Sequence, residues 1–269
     1  MTNPPRVTCD IDEQFIATVS LNRPEKLNAL DMAMFDAILA VTKQLKKDKN
    51  IRAVIVKANG TDFCTGLDIK SLLTSKVDAM RLLYKWWPTT PNAAQRFSLA
   101  WRKVPCPVIF AIHGRCWGGG LQLVCGGDFR IASNDASFSI MEGKWGLIPD
   151  MGGSIAFREL MRQDHALELA MTAKVIDSQS AKEYGLITKI AKDPYDAAYQ
   201  LALECAERSP DSIAANKRLY QQTWWVSQGR ALCLETWYQL RVLFGTNRSI
   251  AAKRERQNTK TRFLPRGFK

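Results

Sequence analysis

Two carboxylates stand eight residues apart in the stretch SFSIMEGKWGLIPDMGG, residues 137–153. Glu142 and Asp150 have apolar residues and glycines as their sequence neighbours. A carboxyl group in an apolar setting has a raised pKa, and two such groups can serve as an acid and a base. The spacing alone leaves a second interpretation open, which is a pair of exposed loop carboxylates without a catalytic part.

Three consecutive glycines, Gly118–Gly120, stand directly before the apolar run LQLVC. Neither a dinucleotide-binding G-x-G-x-x-G nor a phosphate-binding loop ending in Gly-Lys-Ser/Thr can be aligned on them. They join a predicted strand, PVIFAIHG, to a predicted helix, and free N–H groups at such a junction suit a developing oxyanion. Close packing of one backbone segment on another explains the three glycines equally well.

A second glycine-containing loop, GTDFCTGLDIKSL (Gly60–Leu72), follows the β-type run IRAVIVKA. One N–H from this loop and one from the glycine run would hold a carbonyl oxygen from two sides. Catalysis by a Ser-His-Asp triad is not expected, because neither His113 nor His165 stands near a G-x-S-x-G turn.

Length and composition predict a globular protein with a full-sized core, since 269 residues include 46% apolar and 24% charged residues. The sequence has no signal-like apolar segment and no run long enough to cross a bilayer. Seven scattered cysteines without a C-x-x-C pair favour reduced thiols and a cytoplasmic location. His113 and Cys116 lack a second ligand pair, so no metal is expected.

A net charge of +12 favours polyanionic partners. Nucleic acid is one such class, and a phosphate-rich small molecule is another. The aromatic pairs that could stack on bases, Trp86–Trp87 and Trp224–Trp225, fall in helical patterns that are more typical of core or subunit packing.

Strand and helix patterns alternate up to about residue 200 and become helical beyond it. Asp31 is a predicted N-cap of a helix through about Lys49. The predicted strands are FIATVSL, IRAVIVKANG, PVIFAIHG, FRIAS and SFSI. This order predicts an α/β core over residues 1–200 and a helical packing or oligomerisation region over residues 201–269.

Five motifs in order resemble the crotonase, or enoyl-CoA hydratase/isomerase, superfamily. The resemblance covers nearly the whole chain and rests on LNRPEKLNAL (Leu21–Leu30), FCTGLDIKSL (Phe63–Leu72), HGRCWGGGLQLVCGGDFRIAS (His113–Ser133), FSIMEGKWGLIPDMGG (Phe138–Gly153) and AKEYGLI (Ala181–Ile187).

This resemblance implies an α/β fold, namely a spiral of repeated β-β-α turns followed by C-terminal helices that build trimers, often paired into hexamers. It implies an acyl-CoA enzyme of fatty-acid metabolism. Coenzyme A is then part of the substrate, and no separate cofactor is expected. The expected partners are the acyl-CoA thioester and further copies of the chain, in a homotrimer or hexamer. Neither a membrane nor nucleic acid is expected.

The resemblance also assigns residues. The backbone N–H groups of Leu67 and Gly119 would form an oxyanion hole for the thioester oxygen. The segment from Ser71 to Arg96 would shape the acyl pocket, and basic residues near the C-terminus would help to bind the CoA phosphates. The substrate and the CoA would contact Arg23, Lys26, Ala29, Thr65, Asp68, Ile69, Lys70, Gly118 and Gln122.

The reaction is predicted from three positions. Hydratases of the superfamily use two glutamates, and here Gln122 and Glu142 occupy those positions; a glutamine cannot act as a base. Asp150 matches a carboxylate of the dienoyl-CoA isomerases, although those enzymes usually carry an aspartate where Gln122 stands. We therefore expect a double-bond isomerase with Glu142 and Asp150 as its acid/base pair.

Three alternatives stay open. The first is an enoyl-CoA hydratase in which Gln122 positions a water that Glu142 activates. The second is another enolate chemistry, such as thioester hydrolysis or decarboxylation. The third is a non-catalytic protein that binds CoA or RNA.

Overall fold

A computed structural model describes residues 4–69 and 76–268. The strands are β1 (Val7–Ile11), β2 (Ile16–Leu21), β3 (Ala53–Ala58), β4 (Val108–Ile112), β5 (Arg115–Trp117), β6 (Phe129–Ala132), β7 (Ser137–Ser139), β8 (Ile176–Asp177) and β9 (Lys189–Ile190). The helices are α1 (Met32–Lys47), α2 (Lys76–Leu83), α3 (Ala93–Leu99), α4 (Gly119–Val124), α5 (Gly153–Leu160), α6 (Gln163–Thr172), α7 (Ser178–Glu183), α8 (Pro194–Ala206), α9 (Pro210–Thr223), α10 (Gln228–Leu243) and α11 (Thr246–Gln257).

The larger sheet has six strands in the order β1-β2-β3-β4-β6-β9. Only the edge pair β1–β2 is antiparallel, and the remaining neighbours run parallel. In β3, Val54 and Val56 belong to the main core, while Ala53 and Ile55 belong to a second apolar cluster on the opposite face. A parallel strand covered on both faces needs such a continuous apolar run, and this explains the sequence AVIVKA.

A smaller sheet, β5-β7-β8, lies beside the larger one. The chain passes from β4 of the large sheet to β5 of the small sheet, and in the next turn from β6 to β7. The preceding turn does the same in shortened form, because Cys64 bridges to Cys116 of β5. Helix α4 follows β5. This succession of strand, strand and helix confirms the predicted spiral of β-β-α turns.

One local prediction is confirmed in detail, and the helical prediction for the two tryptophan pairs is wrong: α9 ends at Thr223, and Trp224 and Trp225 lie in the turn after it. The Asp31 side chain accepts a hydrogen bond from the Met34 N–H at 2.8 Å and caps α1, as predicted. Trp86 and Trp87 were predicted to be helical, but α2 ends at Leu83 and both tryptophans lie exposed in the turn that follows. Pro88 explains the difference, because the residue before a proline is biased away from the helical conformation.

The helical C-terminal region contacts the core through two of its helices, α8 and α9. Helix α8 packs on the large sheet through Ala198 and Ala202, so the boundary predicted at residue 200 falls inside this helix. Further along, Lys217 of α9 extends its ammonium group to the Asp128 carboxylate at 2.6 Å and to the Trp101 carbonyl at 3.3 Å. In the described part of the chain, no helix is long and apolar enough to cross a membrane.

The Lys217–Asp128 contact generates a stability prediction. The Lys217 side chain is 8% exposed and the Asp128 side chain 21% exposed. Lys217→Met removes the cation and leaves a partly buried carboxylate without it, and we expect a loss of about 2 to 4 kcal/mol in the free energy of unfolding. Urea unfolding at one fixed protein concentration measures this loss. Lys182→Met, at an exposed position of α7, is the control, and an equal loss in both variants would contradict the prediction.

Candidate active site

The loop that carries Leu67 is bound to the N-terminal loop by backbone hydrogen bonds. The Leu30 N–H donates to the Gly66 carbonyl at 2.8 Å, and the Leu30 carbonyl accepts from the Asp68 N–H at 3.0 Å. Leu30 is therefore hydrogen-bonded to the residues before and after Leu67 and not to Leu67 itself. The N–H of Leu67 itself points away from Leu30 and donates to no described residue.

The buried side chain of Asn28 fixes the turn of residues 23–30. Its oxygen accepts from the Arg23 N–H at 2.8 Å. Its amide nitrogen donates to the carbonyls of Asn59 and Asp62, at 2.8 and 2.9 Å. The N-terminal turn is thereby joined to the loop that follows β3.

At each position of the run Gly118–Gly120 a different physical requirement is met by a glycine. Gly118 adopts φ 52° and ψ −121°, a conformation that side chains disfavour. A Cβ on Gly120 would lie 2.6 Å from the Cys64 carbonyl oxygen, so the two backbones approach too closely for any side chain. Tight packing, one of the two explanations, is therefore confirmed for Gly120.

The other explanation, an N–H group that faces an oxyanion, stays a prediction for Gly119. Its N–H donates to no described residue. A Cβ built on Gly66, directly before Leu67, would lie 3.4 Å from the Gly119 nitrogen. Two unpaired backbone N–H groups, on Leu67 and Gly119, thus lie on neighbouring loops, which is the arrangement that an oxyanion needs.

Glu142 lies in the wall of a cavity of about 340 Å³, which Leu67, Gly118 and Gly119 also line. The residue is 8% exposed, and its Oε2 is buried without a hydrogen-bond partner in the described structure. Burial raises the pKa of this carboxyl above its ordinary value, the negative charge of Asp150 adds to the effect, and the hydrogen bond from Gln122 opposes it. Such a carboxyl is suited to accept and return a proton.

Asp150 lies in the turn before α5 and is half-buried. Burial raises the pKa of its carboxyl as well. Among the described residues the cavity lining includes Glu142 but not Asp150. The structure therefore brings the two carboxylates within electrostatic range and places only one of them in the cavity wall.

Gln122 is 1% exposed and lies between these two carboxylates. Its Nε2 donates to Glu142 Oε1 at 2.7 Å. Its Oε1 accepts from the N–H groups of Met151 and Gly153, at 2.8 and 3.0 Å.

The predicted CoA-contacting residues occupy different environments. Arg23 is buried, and its guanidinium donates to the Ala29 carbonyl at 2.9 Å and pairs with Asp68 at 2.9 Å. Lys26 is exposed. Thr65 and Ile69 line the cavity, whereas Lys70 lies outside the described residues.

Sequence reasoning missed the large apolar side chains in the wall of the cavity. Trp117, Met141 and Trp145 all line it. Trp117 stands directly before the glycine run and Met141 directly before Glu142, so adjacency to the motifs was the available signal. The segment predicted to shape the acyl pocket, in its described part 76–96, contributes none of the lining.

The residues considered as metal ligands have other contacts. His113 Nε2 lies 3.0 Å from the Gly60 carbonyl oxygen. Burial raises the pKa of the Cys116 thiol. Within residues 4–69 and 76–268, no group of three or more His, Cys, Asp or Glu side chains is arranged to hold a metal ion.

The sequence profile of the family described as Enoyl-CoA hydratase/isomerase matches residues 12–239. The chain belongs to this family. A mitochondrial Delta(3,5)-Delta(2,4)-dienoyl-CoA isomerase of Dictyostelium discoideum is 28% identical over 221 residues, which cover 77% of this chain and 73% of that protein. The 1,2-epoxyphenylacetyl-CoA isomerase of Escherichia coli K12 is 33% identical over 205 residues, covering 72% and 74% of the two chains.

Solved structures agree with this assignment. The crystal structure of an enoyl-CoA hydratase from Bacillus anthracis superposes with a TM-score of 0.87 at 25% identity, covering 96% of this chain and 98% of that one. The predicted resemblance is confirmed, and the chain is an enzyme of the enoyl-CoA hydratase/isomerase family.

The buried Glu142 generates a prediction on stability and pH. Its carboxyl has a higher pKa in the folded protein than the ordinary value of 4.5. The folded state therefore holds this proton more tightly than the unfolded state, and stability falls as the pH rises above about 4.5 through the folded pKa. Glu142→Gln has no carboxyl at this position and so lacks this loss of stability with rising pH. The melting temperature of the variant minus that of the unmodified chain should therefore be larger at pH 8 than at pH 4. Thermal melts at both pH values test this, with the exposed Glu235→Gln as control. A difference that does not change with pH would refute it.

Proposed function

We propose that the chain isomerises double bonds of enoyl- or dienoyl-CoA thioesters, with Glu142 and Asp150 as the acid/base pair. The observation that supports this most directly is the cavity itself. Glu142, with a buried and unpartnered carboxylate oxygen, lines the same cavity as Leu67 and Gly119, whose N–H groups donate to no described residue, and a second carboxylate lies within electrostatic range.

The proposed reaction on a 3,5-dienoyl-CoA begins at C2. Glu142 removes a proton from this carbon, and the negative charge moves onto the thioester oxygen as an enolate. The N–H groups of Leu67 and Gly119 stabilise that charge, and removing one such donor typically costs about 100- to 1000-fold in rate. Asp150 then delivers a proton to C6, which leaves the 2,4-diene. The proton is delivered at the far end of the diene, so Asp150 need not line the same cavity as Glu142.

The contacts of Gln122 favour isomerisation over hydration. A glutamine that positions a reactive water needs a free donor or acceptor facing the cavity. Here the carbonyl oxygen already accepts two backbone N–H groups and one N–H of the amide donates to Glu142, and Gln122 is not among the described residues that line the cavity. With 1% exposure the side chain has little access to solvent.

The proposed substrate class is an acyl-CoA thioester, and the proposed chemistry requires no separate cofactor. We propose that the exposed Lys26 contacts the CoA, and that Thr65 and Ile69, which line the cavity, contact the chain next to the thioester. Arg23 already pairs with Asp68, so its proposed contribution is to hold the loops that form the CoA path. Ala29 and Gly118 belong to the same path through their backbone positions.

A deuterium experiment tests the proposed reaction. We expect the purified protein in D2O to convert a 3,5-dienoyl-CoA into the 2,4-dienoyl-CoA, with deuterium at C6, as followed by NMR. Asp150→Asn should lose this conversion by about 100-fold or more, because the acid that completes the reaction is gone. Hydration of crotonyl-CoA without any diene conversion would show instead that Glu142 works on water and that the proposal is wrong. Glu235→Gln serves as the control variant.

We further propose that the chain assembles into a homotrimer or hexamer through its C-terminal helices. Large apolar side chains at the surface of this region support the proposal. Trp224, Trp225, Trp237 and Phe244 are 59%, 59%, 58% and 83% exposed in the single chain. Large apolar side chains exposed in one region of a chain often mark an interface.

The mass of the protein in solution tests the proposed assembly. Light scattering after size-exclusion chromatography should give three or six times the chain mass of 30.3 kDa. Trp237→Glu should lower that mass, since it places a charge on the apolar surface, while Trp86→Glu outside the C-terminal helices should leave it unchanged. A mass of a single chain for the unmodified protein would overturn the proposal.

A further inference from the structure

The amide of Gln122 contacts both proposed acid/base elements at once. Its nitrogen donates to Glu142 Oε1 at 2.7 Å, and its oxygen accepts from the N–H groups of Met151 and Gly153. Met151 directly follows Asp150 in the chain. One buried side chain therefore connects the wall that holds Glu142 with the turn that holds Asp150.

The first consequence concerns the two oxygens of Glu142. Because Oε1 accepts the Gln122 N–H, a proton on the neutral carboxyl must sit on Oε2. Oε2 has no hydrogen-bond partner in the described structure. The amide thus leaves Oε2 as the one oxygen of this buried carboxylate that carries no hydrogen bond in the described structure.

The second consequence concerns the turn of residues 150–153. A Cβ on Gly153 would lie 2.7 Å from Gln122 Oε1, so only a glycine allows the amide to come this close. The carbonyl of Met151 in the same turn accepts a hydrogen bond from the Ser98 hydroxyl. The backbone that carries Asp150 is fixed from two directions, and Gln122 provides the contact that is shared with Glu142.

We propose that Gln122 is a positioning residue, which selects Oε2 of Glu142 as the oxygen that moves the proton and sets the separation between Glu142 and Asp150. The inference takes the roles of these two carboxylates from the proposed function. It assigns to this glutamine neither the handling of water nor contact with the substrate.

The groups around Glu142 determine how its pKa responds to a substitution of Gln122. Asp150 raises the pKa of Glu142, and Gln122 lowers it by donating to the charged form. Arg115 and Lys144 line the same cavity, and Arg115 pairs with Asp62 at 2.6 Å. A substitution at position 122 leaves these charged groups in the chain, so a shift in the titration of Glu142 reports the loss of the amide, both as a donor to Glu142 and as the contact that holds the Asp150 turn.

Exchange of the α-protons of butyryl-CoA in D2O is the test. This reaction needs the base and the two N–H donors but not Asp150, so it can be measured whether or not the protein isomerises dienes. We expect Gln122→Met to slow exchange by about 100-fold, as for a misplaced base, while butyryl-CoA still binds with a dissociation constant within about threefold of the original. We expect the acid limb of the pH–rate profile to move to higher pH, because the donor that stabilised the carboxylate is gone.

Gln122→Glu provides a second variant of nearly the same size. One of its oxygens can still accept from Met151 and Gly153, and the other would face Glu142 with no N–H between them. Two adjacent carboxylates share a proton, so the acid limb should again move to higher pH. If Gln122→Met fails to fold, as judged by circular dichroism, this variant carries the test. Gln179→Met removes an amide that donates to Glu183 on an exposed helix, and it is the matched control.

The outcomes separate the two proposals. An acid limb that stays at its original pH in both variants, or an exchange rate within about twofold of the original, would overturn the positioning role. If exchange responds as expected and is lost in Glu142→Gln, while no diene is isomerised, the positioning role stands and the isomerase proposal fails.

Discussion

The close contact between two backbone segments, residues 63–67 and 116–120, is the constraint on which the site depends. The Trp117 N–H donates to the Cys64 carbonyl at 3.0 Å, and Gly120 lies against the same carbonyl oxygen. No side chain fits between the segments. Because they belong to consecutive turns of the spiral, each turn contributes one unpaired N–H group to the same small volume.

The rest of the structure holds this contact in place. The two segments follow β3 and β4, which pair in parallel and are buried on both faces. The N-terminal turn, fixed by Asn28, supports the Leu67 loop from one side, and Met151 lies against Gly119 from another. Rigid strands thus position the backbone N–H groups of Leu67 and Gly119, which lie on loops.

The carboxylates illustrate a conflict between stability and chemistry. Glu142 is buried with one oxygen unpartnered, and this disfavours its charged form. Elsewhere the chain pairs its buried charges, as in the contacts Arg23–Asp68 and Lys217–Asp128. Arg23 Nε and Trp101 Nε1 are also buried without a hydrogen-bond partner, but among the described residues with such an atom it is Glu142 that lines the cavity. A buried, unpartnered carboxylate in a cavity is a candidate functional group.

The sequence by itself determined the family, through five ordered motifs, and the resemblance implied the β-β-α spiral. The sequence also determined the positions that could do chemistry, because these depend on local patterns. Asp31, the apolar run AVIVKA and the three glycines each impose their structure over a few residues. What Gln122 does was decided only by the tertiary structure, since its three partners come from segments about 20 to 30 residues away. The same holds for the aromatic wall at Trp117 and Trp145, and for the placement of Glu142, but not Asp150, in the cavity wall. Distances between side chains on different turns of a spiral are set by how the turns stack, and no local pattern in the chain encodes them.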